Sequence, residues 1–228
     1  MNARELTASA LLAAAALTAA ANEPTRCSDG RVTVSAADPA DVDAGCGGAA
    51  AALEFFAARG IVVTHPIDIA FVDVMPAIVA ETPSVGCYIR SEDRIYVLAF
   101  ERCRSLRMGH DIPVDRAVHR GLVAHEVAHR IVDENVAPRR LGTVAHEYIA
   151  YVVMYSSMPP DGRERLLGLI RGGGIESGTE AEAGINLTLY LLDPVLFGVL
   201  AYRHYMAQTD GPGLLARVMA GKAFLSDE

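Results

Sequence analysis

The 228-residue sequence contains no tryptophan, has only 6% aromatic residues, and has no cysteines spaced C-x-x-C. Without that spacing, a thiolate zinc site or a dithiol redox motif is not expected. The sequence also lacks a basic cluster, and its formal net charge is −8. An acidic chain of this kind is a poor match for nucleic acid or anionic lipid, so neither is expected as a partner. Apolar residues are plentiful: 51% of the chain is hydrophobic and 21% is charged. That balance belongs to a folded chain with a core large enough for one domain. The apolar stretch 185–206 is broken by Asp193-Pro194 and carries Arg203-His204 near its end. Two core helices account for it, and no stable membrane span is expected.

The N-terminal 21 residues form a separate unit. An Ala/Leu run over 10–21 follows a weakly basic start, and Ala19 and Ala21 fit an A-x-A cleavage rule. This reads as a signal peptide, residues 1–21, with a single domain over 22–228. The four cysteines, Cys27, Cys46, Cys87 and Cys103, suit an exported chain with two disulfides. Short local loops favour Cys27–Cys46 and Cys87–Cys103. The expected localisation is secreted or periplasmic.

Alternating residues predict strands over 31–36, 61–63 and 67–74, and a hairpin over 86–98 that turns at Ser91-Glu92-Asp93. An Ala-rich segment predicts a helix over 49–59, with Gly60 after its end and Gly45 to Gly48 as punctuation before it. From about Pro113 the pattern becomes helical. Asp115 caps a helix to about Val132, Gly142-Thr143 opens a second that Pro159-Pro160 ends, and Asp161 with Glu164 starts a third, closed at Gly172. A last helix is expected over 214–224. The order predicts an α+β fold, with a sheet and one helix in residues 22–112 and a helical part in 113–228.

The chemistry is concentrated in His125-Glu126-Val127-Ala128-His129. Positions i and i+4 share one helix face, so both imidazoles can reach one ion. Val118, Leu122, His125, His129 and Val132 form a single stripe, and Ala124, Val127, Ala128 and Ile131 make the other sides apolar. A helix apolar on most sides is buried. Buried imidazoles and a buried carboxylate need partners, and a Zn2+ ion supplies one for all three. A third ligand is sought on the next helix. Glu147, embedded in an apolar run, is the choice, with neighbouring His146 as its rival.

His125-Glu126-x-x-His129 followed by Glu147 on a second helix resembles the gluzincin group of HEXXH zinc metallopeptidases, over about residues 115–155. The resemblance implies a zincin fold, with an N-terminal mixed sheet, an active-site helix and a helical C-terminal part. It implies that His125, His129 and Glu147 are metal ligands, that Glu126 is the general base, and that the substrate is a peptide or protein. It further implies that the 86–98 hairpin holds the substrate as an added strand. Two departures stand out. The gap to Glu147 is slightly short, and Tyr151 stands where such enzymes often have Asp. Val132 and Asn135 occupy the places of the metzincin Gly and third His, so that extension is absent. Tyr190, Tyr202, His204 and Tyr205 are candidates for steadying an oxyanion. The alternative function is a catalytically weak zincin-fold binding or sensor protein of the periplasm. The oligomeric state is not legible in the sequence.

Overall fold

A computed structural model of the chain describes residues 23–79, 84–136, 141–169, 182 and 184–223. The expected leader over 1–21, the helix closure at Gly172 and the end of the last helix at 224 lie outside these residues.

Alternation builds the sheet. Val32 and Val34 of β2 (Val32–Ser35) are buried, as are Ile67 and Ile69 of β3 (Ile67–Val72). Ile95 and Val97 of β5 (Arg94–Leu98) continue this apolar face. The register pairs Val34 with Ile69 and Ile69 with Ile95, so branched side chains form rows across the sheet. Two further strands, β1 (Thr25–Arg26) and β4 (Gly86–Ile89), complete five strands in the order β1-β2-β3-β5-β4. The three central strands run parallel and both edge strands are antiparallel. The hairpin expected over 86–98 is therefore β4 and β5, and it turns at Asp93 with φ 48°. The expected strand over 61–63 does not form. Its carbonyls go to side chains instead: Arg31 donates to Val63 O and Asn135 to Val62 O.

The first helix is longer than expected. α1 spans Pro39–Ala57, with Asp38 accepting from the Ala40 N–H at 2.9 Å and Pro39 in the first turn. Gly45 to Gly48 lie inside it, and packing explains why. A Cβ on Gly45 would come within 2.9 Å of Val34, and one on Gly48 within 2.6 Å of the Arg120 carbonyl oxygen. Each glycine costs about 1 kcal/mol of helix propensity, offset by the close approach of α1 to the sheet and to the helix behind it. Gly48→Ala is accordingly expected to destabilise the fold by about 1–3 kcal/mol despite alanine's better propensity. Urea unfolding reads the sign, and a gain in stability would show that this interface has slack.

Next come α2 (Phe100–Cys103) and a two-stranded ribbon of β6 (Arg107–Met108) and β7 (Ile112–Pro113). The long helix α3 (Arg116–Asn135) is capped by Asp115, which accepts from the Val118 N–H at 2.9 Å. α4 (Thr143–Ser157) starts after Gly142 and stops before Pro159-Pro160. α5 (Pro160–Leu169) begins one residue ahead of Asp161. The apolar run is divided at Asp193 into α6 (Leu187–Leu192) and α7 (Pro194–Ala207). α8 (Gly211–Met219) starts earlier than expected, at Gly211, because Asp210 caps it through the Gly213 N–H. The described residues thus make an α+β fold with eight α-helices. α1 and α3 lie against the sheet, α4 packs on both, and α7 packs on α4. None of the described helices is long and apolar enough to cross a membrane.

One expected disulfide is present, Cys27–Cys46, which ties the β1–β2 end to α1. The other is not: Cys87 and Cys103 are free. Gly86 and Tyr88 of β4 turn towards α3, so Cys87 between them points to the opposite face of the sheet. Cys103 is buried in the core, where its thiol donates to Leu98 O at 3.3 Å.

Candidate metal centre

α3 and α4 pack side by side and face their functional side chains towards one point. His125 and His129, one turn apart on α3, bring their Nε2 atoms to 3.1 Å. From α4, Glu147 Oε2 lies 3.4 Å from His125 Nε2, and Oε1 lies 3.5 Å from His129 Nε2. These three residues are the one group of the described chain whose donor atoms gather closely enough to share a metal ion. Tetrahedral bonds of about 2.0–2.2 Å place neighbouring donors about 3.3–3.6 Å apart. Both imidazole–carboxylate separations lie in that range and the imidazole pair, at 3.1 Å, is only slightly closer, so the three suit a tetrahedral zinc with one position left over.

Electrostatics prepare two of the three donors, while His125, although burial opposes its charge, is held up by Glu147 and Glu126 and gives up a proton when a metal binds. Burial pushes His129 down to about 3, so it is neutral with its lone pair available. Burial opposes ionisation of Glu147, but His129 and His125 outweigh it and hold the carboxyl down at about 2. Glu126 is set apart. It is buried beside the cluster, and burial, assisted by repulsion from Glu147, pushes it up to about 7. The backbone amide of Tyr88 on β4 offsets part of that rise. A Cβ on Gly86 would fall 2.8 Å from Glu126 Oε1, so only glycine at that strand position leaves room for the carboxylate.

The cluster opens into a cleft of about 630 Å³. Val85, Leu106, Leu122, Pro194 and Val195 make its walls apolar, and Glu126, Tyr151 and Tyr190 also line it. Of the oxyanion candidates, Tyr190 reaches the cleft, where burial and then the Glu147 charge push its hydroxyl up. The other three are used elsewhere. Tyr205 accepts from Arg59, His204 contacts Tyr148 and Glu182, and the Tyr202 ring lies against Tyr155. His146, the rival third ligand, is not part of the donor group; it lines a second depression with Tyr88, Arg90 and Asp133, which His129 and Glu147 also border, and its ring lies 6.1 Å from that of His129.

A network invisible in the sequence fastens the hairpin to α3. Buried Arg130 donates to Asp93 at 3.2 Å and to Glu134 at 2.7 Å. Tyr88 donates to Asp93 and Asp133, and Arg90 pairs with Asp133. This holds β4 against the helix that carries Glu126. Burial opposes ionisation of Glu134, but hydrogen bonds from Thr64, Arg130 and His65 hold it down at about 2. A carboxyl titrating that low, against about 4.3 when unfolded, contributes stability above the unfolded value. That contribution is lost as pH falls from about 4.3 through the folded value. Glu134→Gln is expected to cost about 2 kcal/mol at pH 7 and to flatten stability between pH 4.5 and 2. Thermal unfolding as a function of pH checks both.

The chain belongs to a family of unknown function, DUF6639, whose profile matches residues 32–228. No curated protein and no solved structure matches it.

Proposed function

We propose that this is an exported zinc-dependent metallopeptidase with a zincin-like arrangement. The observation that carries the proposal is the convergence of His125, His129 and Glu147 beside buried Glu126, under an edge strand of a mixed sheet. His125, His129 and Glu147 would hold the ion. A zinc bound there supplies Lewis acidity, polarising a peptide carbonyl and lowering the pKa of water.

The protein's own groups do the rest. Glu126, near neutrality, accepts the proton of the attacking water at its carboxylate and passes it to the leaving amide nitrogen. The glycine at 86 lets that carboxylate sit close to the strand, where the Tyr88 amide favours its ionised form. Tyr190, which lines the same cleft, donates its hydroxyl proton towards charge that builds on the carbonyl oxygen. The apolar walls exclude water and select a bulky apolar side chain beside the scissile bond. The disulfide Cys27–Cys46 supports an oxidising compartment, secreted or periplasmic.

One observation favours the second reading, a metal-holding binding or sensor protein. The outward groups of Gly86 on β4 are already engaged, because Ser84 Oγ bonds both its N–H and its C=O. A substrate strand must displace them. A mixed peptide library incubated with the zinc-loaded protein separates the readings. The peptidase reading expects cleavage next to large apolar residues, abolished by chelation. Stoichiometric zinc with no cleavage of any peptide would leave the binding role.

A further inference from the structure

We infer that Tyr151 is the positioning residue for His125: its ring, wedged in place by Gly198, aims the imidazole by packing where a hydrogen bond would otherwise do so. The inference rests on the metal-centre reading above.

Three independent observations meet here. First, His125 Nδ1 is buried, and no side-chain or backbone group of the described residues hydrogen bonds to it. A ligating imidazole ordinarily gives that second nitrogen's proton to a carboxylate, carbonyl or water, which fixes ring and tautomer. Second, the Tyr151 ring meets the His125 ring edge to face, with centroids 4.6 Å apart and planes at 74°. That is the preferred geometry of an interacting ring pair. Tyr151 lies one turn beyond Glu147 on α4, so one helix face presents both the carboxylate ligand and the ring that orients the imidazole. Third, the ring has no room to retreat. A Cβ on Gly198 of α7 would fall 2.3 Å from Tyr151 Cδ1 and 2.7 Å from Cε1. Phe197 packs on the same ring at 5.9 Å.

The chain of contacts therefore runs from α7 through Tyr151 to His125, and leaves His125 Nε2 facing Glu147 at 3.4 Å. The ring carries this role and the hydroxyl does not. Tyr151→Phe should keep the wedge, whereas Tyr151→Ala removes it and Tyr151→Leu fills the space without a ring edge. Gly198→Ala should push the ring against His125.

The test is zinc affinity of the full chain, measured by competition with a chromophoric chelator, alongside thermal unfolding of the metal-free protein. Tyr151→Phe is expected to bind within about threefold of wild type. Tyr151→Ala, Tyr151→Leu and Gly198→Ala are expected to weaken binding by about 10–100-fold, the range of lost orienting partners. The leucine variant keeps its core volume, so its affinity falls without a matching fall in stability. Tyr151→Phe weakened as much as Tyr151→Ala would overturn the inference, because the hydroxyl would then carry the role. Leucine and alanine variants that bind like wild type would overturn it too, with the metal centre intact. A wild type with no zinc affinity would overturn both readings together.

Discussion

Glu126→Gln should reduce peptide hydrolysis by about 10²–10⁴-fold, the range of a lost general base, while zinc content stays at the wild-type level. The two effects separate because Glu126 is not one of the three gathered donors. Glutamine keeps the shape that fits under Gly86. What it loses is a carboxylate that burial has brought to about 7, ready to take a proton near neutral pH. Single-turnover cleavage with parallel metal analysis reads both quantities. Activity retained by the glutamine variant would remove Glu126 from the chemistry.

The second large effect is expected at the ligands. His129→Ala and Glu147→Ala should each abolish stoichiometric zinc binding. They should also erase the rise in melting temperature that zinc produces in the wild type. Zinc at one hundred times its dissociation constant stabilises a folded protein by about 2.7 kcal/mol, provided the unfolded chain does not bind it. Glu147 matters as much as the imidazoles because it reaches both, at 3.4 and 3.5 Å, from a separate helix. His146→Ala is the internal control. It sits next to Glu147 in sequence and borders a depression shared with His129 and Glu147, but it is outside the gathered donor group, so zinc binding should survive its loss.

The parts of this account that were legible in the sequence share one property: they are local. His125 and His129 on one helix face, the Asp115 cap, the break at Asp193-Pro194 and the 86–98 hairpin follow from spacings of a few residues. Glu147 was within reach because a lone carboxylate in an apolar run calls for a cation.

What was not legible depends on contacts between distant segments. Gly45 and Gly48 read as breaks because nothing local tells a glycine that ends a helix from one that lets two helices touch. The Cys87–Cys103 pairing looked reasonable as a short loop, but the alternation of β4 turns Cys87 away from the core that holds Cys103. Gly86 under Glu126 and Gly198 behind Tyr151 carry weight only once the sheet edge and α7 are in place. The same is true of Arg130, whose partners Asp93 and Glu134 come from the hairpin turn and its own helix. Tyr190 could be chosen among four candidates only when α6 was seen to bring it to the cleft.

Zinc-edge X-ray absorption on the purified full chain, loaded with one equivalent of zinc, reads the ligands themselves. A four-coordinate ion with two imidazole nitrogens and oxygen ligands at about 2.0–2.2 Å is expected, with loss of one imidazole contribution in His129→Ala. A spectrum with sulfur ligands, or one unchanged by His129→Ala, would contradict that coordination.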